Sequence, residues 1–221
     1  MKKNSRILTF LMIFLISLPL FYLASVYTSL PEIIPMHFNS KLEADRMGRR
    51  SEIWIPVGVL AGAALLAFLA MQNIHRIDPK RKNAPNTSSF NKMGAGLAIF
   101  ITALNFLIIA SAFKGAAAFN SFLFPLLGLM FAFLGNNMNN IKPNYFAGIR
   151  LPWTLSDDNN WRKTHHFAGK LWFWAGITLA VISLFIPGKI ILPFLLTITI
   201  AISIIPAIYS WRLFKNKPPV S

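Results

Sequence analysis

Histidine, cysteine and short glycine motifs are the features that would report catalysis or metal binding in this sequence. The chain has four histidines, His37, His75 and the adjacent pair His165 and His166, and it has no cysteine. Neighbouring residues of a helix point about 100° apart, so the histidine pair is badly placed to bind one metal ion. HExxH, glycine-rich phosphate-loop and GxSxG motifs are also missing. We therefore predict no enzyme activity, no catalytic residue, no metal site and no cofactor; an active site built from loop residues stays an alternative.

The first segment with polar and aromatic side chains that could bind a ligand is residues 28–52. Pro31 and Pro35 hold it extended and stop the preceding helix. Four of the seven acidic residues of the chain lie here beside four basic residues, so the segment is locally neutral. It is either a rigid connector or a recognition surface for a ligand outside the cell. The residues that would form that surface are Pro35, His37, Phe38, Asn39, Asp45 and Arg46.

The second such segment is residues 142–172, in which Pro143 and Pro152 prevent one continuous helix. Ser156 is a predicted N-cap, because its hydroxyl can accept a hydrogen bond from a free amide at a helix start. Residues Trp161, His165, Ala168 and Trp172 then recur at i, i+4, i+7 and i+11. This spacing predicts one face of an interfacial helix on the cytoplasmic surface. The alternative is that the basic residues here, Arg150, Arg162 and Lys163, only set topology and bind anionic lipid.

Six long apolar runs must position these two segments. They contain no Asp, Glu, Lys or Arg and lie at residues 7–27, 53–71, 93–113, 119–135, 171–187 and 190–209. A helix needs about 17–25 apolar residues to cross roughly 30 Å of hydrocarbon. The composition agrees, since 55% of the 221 residues are hydrophobic and only 13% are charged, against about 25% in an average protein. The fold class predicted is an all-α membrane protein, a bundle of six transmembrane helices.

The basic residues orient this bundle. The net charge is +15, and sixteen of the 22 Lys and Arg residues fall on one side of the six runs if the N-terminus lies inside. The positive-inside rule then places both termini in the cytoplasm and residues 28–52 outside. The charge therefore reports membrane orientation and gives no support for direct nucleic acid binding. The first run is predicted to be retained as an anchor, because it is longer than the apolar region of a signal peptide.

The polar and glycine residues inside the runs indicate packing. No run holds an ionisable residue of the kind that pumps and ion-coupled transporters use. Asn105 is predicted to make an interhelical hydrogen bond, with contact to a ligand as the alternative. Gly58 and Gly62 form a GxxxG pair that predicts helix packing, within one chain or between two.

At two places the sequence closely resembles a known family. One set of motifs comprises Gly135-Asn136, Pro143-Asn144-Tyr145-Phe146, Gly148-Ile149-Arg150, Pro152-Trp153-Thr154-Leu155, Trp161, Lys163-Thr164-His165 and Gly169. It is similar to the hallmark of the SdpI family. The other set comprises Leu30-Pro31, Ile34-Pro35, His37-Phe38-Asn39 and Asp45-Arg46. It resembles the small domain of unknown function that often precedes that family.

The resemblance implies an integral immunity protein of the bacterial cytoplasmic membrane. It would give resistance to a secreted antimicrobial peptide toxin of the sporulation-delaying-protein type, and it could signal by holding a DNA-binding repressor at the membrane. Its implied partners are membrane lipids, the peptide toxin outside and the repressor inside. The residues implied in partner binding are Asn144, Gly148, Arg150, Pro152, Trp153, Trp161 and His165.

The resemblance also divides the chain. Residues 1–92 are predicted to form an N-terminal two-helix module with its loop at residues 28–52. Residues 93–221 would form an SdpI-like four-helix module with the motif segment at residues 136–170. The alternative function left open by the residues is a small-solute or peptide transporter, against which the lack of intramembrane charge counts.

Overall fold

A computed structural model describes residues 3–79 and 88–216 of the chain, and it is helical apart from one small hairpin. The first half holds α1 (Lys3–Val26), a 3-10 turn (Tyr27–Ser29), strands β1 (Ile33–Phe38) and β2 (Ala44–Arg49), a second 3-10 turn (Arg50–Ile53), α2 (Trp54–Gln72) and α3 (Ile74–Ile77). The second half holds α4 (Ser88–Lys114), α5 (Ala116–Met138), α6 (Pro152–Ser156), α7 (Asp158–Ile182) and α8 (Gly188–Lys215). The all-α membrane class is therefore confirmed.

Five helices in the described part of the chain are long and apolar enough to cross a membrane. They are Arg6–Ser29, Arg50–Gln72, Ser88–Lys114, Phe119–Met138 and Ile190–Lys215. The predicted run at residues 171–187 is not among them, because only its residues 171–182 are helical and they form the apolar end of α7, whose first half is polar. The helix expected to lead into that run is present. It is the first half of α7 and continues without a break to Ile182.

Two local predictions around α7 have different outcomes. The break expected from the two prolines is confirmed, since α5 ends at Met138 and Pro152 stands at the start of α6. The N-cap prediction at Ser156 is wrong. The cap is the next residue, Asp157, whose carboxylate accepts a hydrogen bond from the backbone N–H of Asn159 at 3.0 Å. Ser156 closes α6 instead.

Between α1 and α2 the chain forms a hairpin, which the pattern of apolar runs did not predict. Strands β1 and β2 pair in antiparallel register, with Ile33 opposite Arg49 and Phe38 opposite Ala44. The extended conformation expected from Pro31 and Pro35 is thus confirmed, and the segment pairs with its own second half. At the tip of the hairpin, Leu42 takes a positive φ of 64° and is buried in a cluster with Phe124, Leu179 and Ile191.

The long helices pack side by side in pairs. Helix α4 contacts α1, α2 and α5, while α7 contacts α5 and α8. The hairpin lies where α5 begins, and the connection between α5 and α6 lies where α5 ends, so the two segments singled out in the sequence are at opposite ends of the bundle. Because α4 contacts helices of both predicted modules, the module boundary between residues 92 and 93 stays a prediction.

Glycine lets α5 and α7 approach to backbone contact. A Cβ on Gly128 would lie 2.7 Å from the carbonyl oxygen of Gly176, and a Cβ on Gly135 would lie 2.7 Å from that of Gly169. The glycines are spaced by seven residues on both helices and meet in antiparallel order. Small residues at such interfaces allow close van der Waals packing where water gives no hydrophobic driving force.

The GxxxG pair predicted to pack does not do so within this chain. A Cβ on Gly58 or on Gly62 would meet nothing within 4 Å, so both glycines face away from the bundle. The prediction for Asn105 is confirmed, because its amide donates to the carbonyl oxygen of Val57 on α2 at 3.1 Å. Short turns join α4 to α5 and α7 to α8, the first with Gly115 at φ 67°.

Candidate functional sites

The hairpin is held by polar contacts within itself. The His37 Nδ1–H donates to a carboxylate oxygen of Asp45 at 2.6 Å, and Arg46 donates to Glu52 at 2.9 Å. The side-chain oxygen of Asn39 accepts from the backbone N–H groups of Lys41 and Glu43 and so shapes the turn. His37 and Asp45 are exposed at 65% and 40% of their side-chain surface. A ligand could therefore reach this hydrogen-bonded pair from solvent.

Both ends of the hairpin are fastened to helices. At its base, the Arg50 guanidinium donates to the carbonyl oxygens of Thr28 and Leu30, each at 3.3 Å, and lies 5.3 Å from the ring centre of Tyr27. At its tip, the Asn120 amide at the start of α5 donates to the carbonyl oxygen of Leu42 at 3.2 Å. The hairpin is therefore fastened to the turn after α1 at its base and to α5 at its tip.

A cavity of about 280 Å³ lies between β1 and the helices beneath it. Three of the predicted recognition residues, Pro35, His37 and Phe38, line it. The other three do not, because Asn39, Asp45 and Arg46 take part in the contacts of the hairpin described above. Sequence reasoning missed the residues that complete the wall, which come from α2, α4 and α5 and are Pro56, Ile108, Ser111, Ala112 and Phe119.

At the opposite end of the bundle, residues 139–151 form an ordered connection that we call the motif loop. Asn144 is completely buried and organises it with four hydrogen bonds. Its amide donates to the carbonyl oxygens of Lys142 and Ala147, and its side-chain oxygen accepts from the backbone N–H groups of Phe146 and Ala147. The whole hydrogen-bonding capacity of Asn144 is therefore used inside the loop.

Trp161 and His165 of α7 hold the motif loop against the helix. Trp161 is buried, its indole N–H donates to the carbonyl oxygen of Ile141 at 2.7 Å, and its ring stacks on His165 at 4.0 Å. The His165 Nε2 accepts from the backbone N–H of Ile149 at 3.0 Å. Since Nε2 accepts, the ring proton is on Nδ1 and donates to the carbonyl oxygen of Trp161 at 2.8 Å. His165 is thus held as a neutral imidazole.

Gly148 is the point of closest approach between the motif loop and α7. Its φ is +101°, and a Cβ there would lie 2.3 Å from the His165 Nε2. Only glycine tolerates this combination of backbone angle and contact. The predicted residues Asn144, Gly148, Trp161 and His165 are thus brought together to build the loop.

Of the remaining predicted residues of this end, Arg150 and Pro152 are exposed and Trp153 is half-buried. Arg150 is exposed and donates to the carbonyl oxygen of Tyr145 at 2.7 Å. Pro152 is exposed at the start of α6. The ring of Trp153 stacks on Phe214 of α8 at 6.1 Å. A partner that binds at this end of the bundle would therefore contact Arg150 and Pro152 first.

Comparison with known proteins gives two family matches, and each contains one of the two polar segments. Residues 140–210 match the SdpI/YfhL protein family, and residues 10–61 match a domain of unknown function, DUF1648. The chain is also 27% identical over 219 residues to "Immunity protein SdpI" of Bacillus subtilis (strain 168), with 98% of each chain covered. No solved structure matches.

The SdpI segment contains the motif loop, α6, α7 and most of α8, while the DUF1648 segment contains most of α1, the hairpin and the start of α2. The resemblance read from the motifs is thereby confirmed for both segments. The five apolar helices in the described residues and the similarity to that immunity protein show a multi-pass protein of the bacterial inner membrane. The α4 and α5 residues of the cavity lie outside both segments, so no motif could have indicated them.

The neutral state of His165 makes the motif loop sensitive to acid. Burial lowers the pKa of His165 below its ordinary value, and the hydrogen bond to the carbonyl of Trp161 opposes this only in part. When folding lowers the pKa of a histidine, its contribution to the free energy of unfolding is complete above the unfolded-state pKa of about 6.5. This contribution is lost as the pH falls through the folded-state pKa. Protonation would also place an Nε2–H donor against the Ile149 N–H donor.

We expect the thermal stability of the purified protein to fall between pH 7.5 and pH 5.5, and to fall less in His165→Gln. Glutamine can still donate and accept a hydrogen bond, but it does not titrate. The measurement is the melting temperature of both proteins at the two pH values in one detergent. The exposed neighbour provides the matched control, since His166→Gln should keep the pH dependence of the wild type. If the melting temperatures of the wild type and His165→Gln depend equally on pH, His165 is not held as a neutral imidazole.

Proposed function

We propose that this protein is an immunity protein of the inner membrane that protects the cell from a secreted antimicrobial peptide of the sporulation-delaying-protein type. The observation that carries the proposal is similarity along almost the full length to a protein whose name states immunity. A match limited to the helices would support only a shared membrane fold. Here both polar segments, the hairpin and the motif loop, lie within matched regions.

The proposed topology has six crossings with both termini in the cytoplasm. Five crossings would be the five apolar helices, and the sixth would be the second half of α7. Its residues 171–182 are apolar and continue toward the short turn before α8. Sixteen of 22 basic residues then lie in the cytoplasm, and the hairpin lies outside. A reporter protein fused to the C-terminus should report the cytoplasm, and an outside signal would reverse the proposed orientation.

The hairpin is proposed as the recognition surface for the toxin. It is the polar element of the outer end in this topology, and its His37–Asp45 pair is exposed. The charges of the four acidic and four basic residues in the segment 28–52, which contains the hairpin, cancel, so recognition would depend on shape and apolar contact more than on net charge. Proposed toxin contacts are Pro35, His37, Phe38, Asn39, Asp45 and Arg46.

Signalling through a cytoplasmic repressor is proposed for the other end. The exposed Arg150 and Pro152 would contact the repressor, and the buried residues of the motif loop would hold them in place. Membrane recruitment of a fluorescently tagged repressor encoded beside this gene tests the idea. Recruitment by the wild type and its loss with Arg150→Ala would support it, whereas equal recruitment by both would remove Arg150 from the contact.

The direct test of immunity is survival of a toxin-sensitive strain on purified sporulation-delaying-type peptide. We expect cells that express the wild-type protein to survive at least about tenfold better than cells with an empty vector, and Asp45→Ala to lose much of this protection. An exposed ion pair contributes only about 0–1 kcal/mol to stability, so Asp45→Ala should still fold.

The control variant is Arg162→Ala, an exposed charge at the opposite end of the bundle. It should protect as well as the wild type, with the membrane abundance of all proteins compared by immunoblot. If the wild type is abundant in the membrane and protects no better than the vector, immunity to that peptide is excluded.

A further inference from the structure

The cavity beneath the hairpin lies at the ends of three helices rather than in the middle of the bundle. Its walls are β1, the beginning of α2, the last turns of α4 and the beginning of α5. In the proposed topology these are all outer ends. The cavity is therefore reached from the outer membrane–water interface, the place where a secreted peptide arrives.

The walls of the cavity are apolar. They include Ile34, Ile53, Ile108, Ala112 and Phe119. The one hydroxyl group, on Ser111, already donates to the carbonyl oxygen of Ile108 at 2.7 Å. The ionisable group in the wall is the exposed His37, which is paired with Asp45. A charged ligand group would be left without a partner here, so the chemistry of the walls selects an apolar one.

The size and the aromatic wall suit a single side chain. The cavity volume is about 280 Å³, and a dry apolar cavity of about 150 Å³ already binds benzene in another protein. Phe38 and Phe119 stack with ring centres 4.8 Å apart and an angle of 14°, which joins the hairpin to α5 at the cavity wall. An aromatic side chain can add to such a pair by stacking or edge contact.

We propose that this cavity binds one apolar side chain of the peptide toxin, preferably an aromatic one. This inference rests on the proposed immunity function. A peptide is favoured over a lipid chain because five consecutive strand residues, 34–38, line the cavity and carry three of the proposed toxin contacts. Buried aromatic anchors in pockets supply much of the binding energy at protein interfaces, so filling this cavity should abolish recognition while the fold persists.

Binding can be measured without knowing the toxin. In lipid nanodiscs, the protein labelled with 13C at its methionine methyl groups should show a shift of the Met36 signal when N-acetylphenylalanine amide is added, since Met36 lines the cavity. The signal is assigned by its disappearance in Met36→Leu. Ala112→Leu, which fills the cavity, should lose the shift, and Ala110→Leu on the same helix should keep it. Absence of a shift in the wild type would overturn the proposal.

The same spectra test the lipid alternative. A spin-labelled phospholipid that broadens the Met36 signal, and still does so with saturating amide, would show a lipid chain in the cavity and overturn the proposal. Because Ala112 is buried, its leucine variant could fail to fold. Phe119→Ala is the second variant, since it removes one wall from a half-buried position. It should weaken the binding of the amide at least about tenfold.

Survival on the peptide separates this inference from the proposed function. If the wild type protects, Ala112→Leu and Phe119→Ala should lose protection at normal abundance, and Ala110→Leu should not. Protection by all four proteins would leave immunity intact and remove the cavity from recognition. If the wild type fails to protect but the Met36 signal still shifts, the cavity binds an apolar side chain and the immunity proposal fails for that peptide.

Discussion

Replacement of Gly135 with leucine is expected to prevent α5 and α7 from packing and to remove most of the folded protein from the membrane. A Cβ at Gly135 would lie 2.4 Å from the backbone nitrogen of Phe173 and 2.7 Å from the carbonyl oxygen of Gly169. Overpacking usually costs about 1–3 kcal/mol. We expect the upper end of this range or more, because the atoms in the way are backbone and cannot rotate aside.

The measurement is the yield and the melting temperature of the monodisperse protein in detergent. The matched control is Gly62→Leu, the same substitution on another apolar helix, where a Cβ would meet nothing within 4 Å. Gly62→Leu should keep the yield and melting temperature of the wild type. Equal behaviour of the two variants would contradict the α5–α7 contact. A defect in Gly62→Leu alone would indicate that Gly62 packs against a second chain.

Truncation of Trp161 to alanine is expected to have the second large effect, on the motif loop. Trp161 is buried, and its loss removes the stack on His165 and the hydrogen bond to the Ile141 carbonyl. Replacing a buried Trp by Ala costs about 3–5 kcal/mol. The loop should become disordered and expose the bond after Arg150 to trypsin, whereas Lys142 is protected because Pro143 follows it.

The rate of trypsin cleavage after Arg150 in the purified protein measures this effect. The Trp161→Phe variant is the control, since phenylalanine keeps one ring against His165 but loses the indole N–H and part of the buried volume. It should fall between the wild type and Trp161→Ala, because an unpaired buried carbonyl costs about 1–3 kcal/mol. Cleavage of Trp161→Ala at the rate of the wild type would show that the loop is held without Trp161.

The structure changes how the polar motifs are understood. Sequence reasoning grouped Asn144, Gly148, Trp161 and His165 with Arg150 as one set of partner-binding residues. In the structure the first four are used by the loop itself, and Arg150 is the charged residue left at the surface. Spacing along one helix face indicated that Trp161 and His165 act together, but it could not indicate that a loop covers them.

The sequence by itself determined the membrane class, the helix that ends before Pro143 and the extended segment around Pro35. These features depend on local properties, since hydropathy over about 20 residues and the fixed φ of proline act within one stretch of chain. Charge counting likewise supplied the proposed orientation, because the positive-inside rule acts on each loop separately.

Only the tertiary structure decided which small residues pack and where a cavity forms. The GxxxG motif of Gly58 and Gly62 is the stronger sequence signal for packing, yet both glycines face away from the bundle. The glycines that do pack are seven residues apart on α5 and on α7, where Gly128 meets Gly176 and Gly135 meets Gly169. The cavity likewise joins residues of β1 to Ala112 and Phe119, which are more than 70 positions away in the chain. Such contacts depend on which face each helix turns toward its neighbour, and in a uniformly apolar helix no polar stripe marks that face.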